Sequence, residues 1–236
     1  MPKIIYILLL VLSSPVFINS QVTGNQLVDK SIAYHDPTDN WNSLKGNLSF
    51  IVERPDKPDG KRKVFIDNKK KEFSFWAQYD EGLLNYKVVN EKALATWNNA
   101  SEVPDEMAKK YRIASDRAIM YRDYYTYLYG MPMKLKDAGT IIHDEVSQVE
   151  FYGKKYDKVK VTYDPKVGED IWYFYFDTET HALEAYQFFH DESKNDGEYI
   201  LFKEIIEIDK VKIPRIRKWY YNKDEKFLAT DVLVRK

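Results

Sequence analysis

The chain has 236 residues, with 36 Lys and Arg against 37 Asp and Glu, a formal net charge of -1. This balance excludes a protein built mainly to bind nucleic acid or anionic membranes, and 44% hydrophobic residues exclude wholesale disorder. With no cysteine there is no disulfide, no thiolate metal site, no Cys nucleophile and no lipid anchor on cysteine.

Residues 1–20 carry Lys3, an apolar run from Ile4 to Leu12, and Asn19-Ser20 at the end. That layout predicts a removable secretory signal peptide, because the run is shorter than the roughly 20 apolar residues a membrane span needs. An exported chain without cysteine fits a bacterial periplasm, or the periphery of a Gram-negative outer membrane, better than a eukaryotic secretory route. Residues 21–236 are then one domain, without low-complexity linker or internal repeat.

Leu27, Val28, Ile32 and Ala33 share one face of a short helix over Asn25–Tyr34, which His35-Asp36-Pro37 stops. Period-two alternation follows: Leu48, Phe50 and Val52, then Phe73, Phe75, Ala77 and Tyr79, then strands near 83–92 and 93–98. Asp56–Gly60 is predicted as the first turn. The period changes after Pro104, where Met107, Ala114, Ala118, Tyr121, Tyr125 and Leu128 recur at helical steps up to Gly130-Met131-Pro132-Met133. A bend near Ile113, with Ser115 as a cap, divides this region into two helices. From Gly139 the alternation returns, with strands around Val149–Phe151, Val159–Tyr163, Ile171–Phe176, Leu183–Phe189, Tyr199–Ile208, Val211–Tyr221 and Phe227–Val234. Short polar turns between consecutive strands predict an antiparallel meander, mainly β with helices: about eleven strands and one central helical insertion.

The layout of leading helix, meander, helical insertion and second meander resembles the LolA/LolB-like superfamily of periplasmic lipoprotein carriers. So does the phrase Trp172-Tyr173-Phe174-Tyr175-Phe176-Asp177-Thr178-Glu179-Thr180. The resemblance implies an antiparallel sheet curled into an open half-barrel, with the helices covering its concave face. Within that group the chain is similar to an uncharacterised family of exported Gram-negative proteins. The similarity runs through His35-Asp36-Pro37 with Trp41, Tyr129–Thr140, Asp196-Gly197-Glu198-Tyr199 and Ile213-Pro214-Arg215. That family implies no activity and no cofactor, and no receptor-handoff residue of the lipoprotein carriers can be matched.

The chemistry-bearing residues are sparse. His35-Asp36, His143-Asp144 and His190-Asp191 are isolated dipeptides without metal-ligand spacing, and no Gly-x-Ser-x-Gly, Ser-x-x-Lys or phosphate loop is present. The informative feature is the aromatic surplus, 15% of residues with 19 Tyr. Aromatic and Met side chains make adaptable apolar pockets. The reading is therefore a monomeric binding protein without catalysis, metal or nucleic-acid partner, holding a lipid or other apolar ligand, with an envelope protein as a further partner. Its expected ligand contacts are Tyr121, Tyr125, Leu128, Tyr129, Met131, Met133, Trp172 and Phe174, with Tyr129–Met133 as a gate at the rim. Two alternatives stand beside it: an envelope hydrolase using His35, His190 and acids, and a structural envelope protein whose interior is packed.

Overall fold

In the computed structural model, residues 22–234 are described; the signal peptide expected at 1–20 lies outside them. Helix α1 (Gly24–His35) opens the domain under a capping box made by Thr23 and Gln26. Strands β1 (Lys45–Arg54), β2 (Lys57–Asp67), β3 (Glu72–Tyr79), β4 (Gly82–Val89) and β5 (Lys92–Trp97) follow. Helices α2 (Asp105–Tyr111) and α3 (Ser115–Gly130) come next. The chain then runs through β6 (Thr140–Phe151), β7 (Lys154–Tyr163), β8 (Ile171–Asp177), β9 (Leu183–Phe189), β10 (Glu198–Ile208), β11 (Val211–Tyr221) and β12 (Phe227–Leu233).

The twelve strands of the described residues form one antiparallel, curled and unclosed sheet in the order β5-β4-β3-β2-β1-β12-β11-β10-β9-β8-β7-β6. The chain starts at the middle of the sheet and walks to one edge. It crosses through the helices to the opposite edge and walks back to pair β12 with β1, Phe50 opposite Leu233. This is the half-barrel expected, with one strand more than the pattern count. The break between α2 and α3 falls near Ile113 as expected, with Arg112 in the left-handed region at φ 51. Two local expectations are corrected. The first turn is Pro55-Asp56, because Arg54 already pairs with Lys57 and Lys57–Gly60 belong to β2. Ala114, in extended conformation, holds the cap position, and Ser115 is the first helical residue.

Two cores form on the sheet face that the helices cover. Against β1–β5 lies a row of cross-strand neighbours, Leu48, Val64, Phe75, Tyr86 and Ala95, buried under Tyr121, Tyr125 and Tyr129 of α3. Against β7–β11 lies the row Val159, Phe174, Tyr186, Ile200 and Trp219, buried partly under Leu27 and Val28 of α1. The opposite face of β6–β11 carries a third cluster, in which Tyr175 stacks on Phe151, and beside it Tyr199 stacks on Tyr220. The aromatics that alternate outward therefore pack against each other.

The phrases that carried the family resemblance become joints. His35 pins α1 to the sheet: its Nδ1–H donates to the Lys212 carbonyl at 2.7 Å, and the Leu183 N–H donates to its Nε2 at 3.0 Å. Burial pulls its pKa down to about 4, against the opposing hydrogen bond to Lys212. The Asp36 carboxylate takes the N–H groups of Asn40 and Trp41. Gly130 ends α3 where any Cβ would stand 2.4 Å from the Trp41 ring, so glycine is what lets the helix end seat there. Arg217, 1% exposed, lies over the Tyr129 ring at 4.0 Å and donates from Nη2 to the Leu128 carbonyl at 3.2 Å. A cation thus meets the negative end of the α3 dipole and ties that end to β11.

Candidate functional site

Helix α3 presents two aromatic faces. Tyr121, Tyr125 and Tyr129, four residues apart, point at the β1–β5 core. Tyr124, Tyr127 and Leu128 are turned toward the other half of the sheet, where they border a cavity of about 720 Å³. Its floor is built by strand register. Trp172 of β8 stands opposite Phe188 of β9, and Phe188 opposite Glu198 of β10. One row deeper lie Tyr186 and Trp219. Trp172 stacks on Phe188 with ring centroids 4.8 Å apart, and Tyr127 meets Trp172 edge-on at 5.4 Å. Tyr124 stacks on Trp219 at 6.4 Å. The Tyr127 and Tyr163 hydroxyls bond to each other, closing the wall toward β7.

Polar groups are few and placed. At the mouth, His190 Nδ1 meets an Asp170 carboxylate oxygen at 2.7 Å, a hydrogen bond that holds the imidazole above its ordinary pKa. Lys134 is ion-paired with Asp137. Asp123 is bonded to Arg122 Nε at 2.8 Å. Glu198 follows Gly197, whose φ of +81° and whose position, 2.1 Å from an imagined Cβ to the Phe188 carbonyl oxygen, only glycine tolerates. That tight passage sets Glu198 on the cavity floor, where burial pushes its carboxyl above the usual range against the nearby His190 charge. The Tyr186 hydroxyl is fully buried and has no hydrogen-bond partner among the described residues.

Of the eight side chains expected to contact ligand, Leu128 and Trp172 border this cavity. Tyr121, Tyr125, Tyr129 and Met133 lie in the β1–β5 core, while Met131 and Phe174 lie in the core under α1. The Tyr129–Met133 segment is inside rather than at a rim: Met131 is 2% and Met133 8% exposed. Tyr124, Tyr127, Tyr163, Tyr186, Phe188, Glu198 and Trp219 border the cavity without having been expected there. Their signal was present in the alternation of 172, 174 and 186, 188. It could be read only with the register that sets Trp172 opposite Phe188.

The two histidines of the hydrolase alternative stand apart. His35 touches the first residue of β9 and His190 follows its last, so seven strand residues lie between them, roughly 20 Å at a strand's rise. Among the described residues, no group of three or more His, Asp or Glu could hold a metal ion, and no helix is long and apolar enough to cross a membrane.

No curated protein matches this chain. Among solved structures it is similar to a LolA superfamily protein from Nitrosomonas europaea, with a TM-score of 0.55 and 8% identity over 91% of this chain and 93% of that one. It is also similar to a DUF1329 family protein from Desulfovibrio piger, with a TM-score of 0.49 and 9% identity over 91% of this chain and 92% of that one. The first of these likenesses establishes a LolA-like fold. A model described as "Family of unknown function (DUF6503)" matches residues 3–236, nearly the whole chain, and the chain belongs to that family.

Proposed function

We propose that this protein is an exported binding protein of the periplasm or outer-membrane periphery. It holds a lipid or other apolar ligand in the cavity between α3 and β7–β11 and hands it on, without catalysis, to an envelope partner. The observation that carries the reading is the cavity itself. Its 720 Å³ falls within the range of small-molecule sites, and its exposed walls are mostly apolar, with seven Tyr, Trp and Phe side chains among them. A structural protein would have this half filled as completely as the β1–β5 half. Binding is driven by burial of alkyl surface, about 0.8 kcal/mol per methylene, so affinity should rise about fourfold with each carbon until the cavity is full. Contact is centred on Leu128, Trp172, Tyr127 and Phe188. Tyr121, Tyr125, Tyr129, Met131, Met133 and Phe174 act from behind, as the packing that keeps the cavity's shape.

The test is titration with an environment-sensitive alkyl probe, using wild type and Ala138→Trp. Ala138 borders the cavity and is exposed, so an indole there occupies the space without entering the core. Probe affinity should fall at least tenfold while the melting temperature is unchanged. If wild type takes up no probe, or the variant binds as well as wild type, the reading is wrong. Native mass spectrometry of protein recovered from its own periplasm would identify the natural occupant.

A further inference from the structure

The cavity that we read as a lipid site has a chemically distinct floor. Six acidic or basic side chains border it: Asp123, Asp137, Asp170, Glu198, Lys134 and His190. Both cationic groups are engaged, Lys134 by Asp137 and His190 by Asp170. Asp123 is bonded to Arg122. Glu198 remains: its carboxylate makes no hydrogen bond to any described residue, and it sits half-buried at the end of the apolar row Val161, Trp172, Phe188. A second, independent group shares that floor. Tyr186 lies one row deeper, is 0% exposed, and carries a hydroxyl without a partner. A buried hydroxyl left unpaired is costly, and the Tyr186 side chain is part of the cavity wall.

These groups select a sign. Arg217, the buried cation nearest Tyr129, is turned to the Leu128 and Pro214 carbonyls and does not border the cavity. An anionic headgroup entering the cavity would meet the Glu198 carboxylate as a like charge, with both bordering cations already held by carboxylates. A cation would meet that carboxylate as an opposite charge among the side chains of Trp172, Phe188, Tyr124 and Trp219, the aromatic surroundings in which ammonium groups are stabilised. We infer that the ligand is an amphiphile with an ammonium headgroup, which enters the cavity head first and docks at Glu198 while its alkyl chain lies along Trp172 and Leu128. This rests on the binding-protein reading above and adds the headgroup to it.

The experiment uses the mature chain at pH 8 and three ligands of equal chain length below their micellar concentrations: dodecyltrimethylammonium, dodecanol and dodecanoate. The cation should bind at least tenfold more tightly than the carboxylate, with the alcohol between them. Glu198→Gln, nearly isosteric, should remove that preference and leave dodecanol affinity within twofold. Asp170→Asn is the control for a general acidic field and should leave the preference in place. Equal binding of all three ligands, a stronger dodecanoate, or an unchanged preference in Glu198→Gln would overturn the headgroup assignment while leaving an apolar carrier. Binding of none would overturn both. Short-chain phosphatidylethanolamine against phosphatidylglycerol then separates an ammonium lipid from a simple amine as the source.

Discussion

On the β1–β5 side, Phe75 meets three tyrosines: Tyr121 at 4.5 Å between ring centroids, Tyr125 at 5.4 Å and Tyr86 at 6.2 Å. On the β7–β11 side, the corresponding aromatic row of Trp172 and Phe188 faces open space. One helix serves both halves, but it lies lower on the first, where its Tyr121, Tyr125 and Tyr129 ridge fills the sheet's hollow. Over the second half the filler is divided: α1 seals one end with Leu27 and Val28, and the other end is left hollow. The same aromatic composition thus makes a packed support in one half and a lined cavity in the other. What separates them is which helix face arrives, not how apolar the strands are.

The contrast breaks most sharply by truncation. Phe75→Ala in the packed half should cost about 3–5 kcal/mol in urea unfolding, as a large side chain removed from a filled core does. Phe188→Ala, whose ring already borders open space, should cost only about 1 kcal/mol yet abolish probe binding. Equal costs would mean that the cavity is filled in solution.

Next in size is the pin that anchors α1 over the second half. His35 has a pKa of about 4 in the folded chain against 6.5 free. The unfolded state therefore takes up the proton first as pH falls. This contribution is intact above pH 6.5, is lost progressively down to about pH 4, and amounts to about 3 kcal/mol. Chemical denaturation between pH 7 and pH 4 should show that fall, and His35→Gln should flatten it. A wild-type curve level across this window would place His35 in contact with water.

Smaller still is Gly197→Ala, which forces a Cβ against the Phe188 carbonyl at a positive φ. About 2 kcal/mol of destabilisation is expected, with a shift in the near-ultraviolet signal of the cavity aromatics. An unchanged melting temperature would show that the 196–198 passage is looser than its geometry.

The architecture was legible in the sequence because alternation and turn chemistry are local. The strand pairs that share a short turn, such as β8 and β9 around Asp177–Thr180, could be read directly: the Asp177 carboxylate takes the Thr180 N–H at 2.7 Å. The site was less legible. Tyr121 and Tyr124 are the same residue type three positions apart, yet one enters a core and the other borders a cavity, and only the helix's rotation over the sheet decides which. Met131 and Met133 suggested a gate by composition. They fill two different cores because the chain after Gly130 dives between them. Glu198 looked like one acid among many until the register set it opposite Phe188.

The strand order has a consequence for how the molecule is assembled. Among the described residues every strand pair but one joins neighbours along the chain, so each meander can zip up from nearby residues as it is made. The exception joins Phe50 to Leu233, more than 180 residues later. The sheet's central seam is therefore the last bond between strands that synthesis permits. Until β12 arrives, β1 presents an unpaired edge in the middle of the future molecule, a site at which a chaperone strand or a second nascent chain can pair in its place.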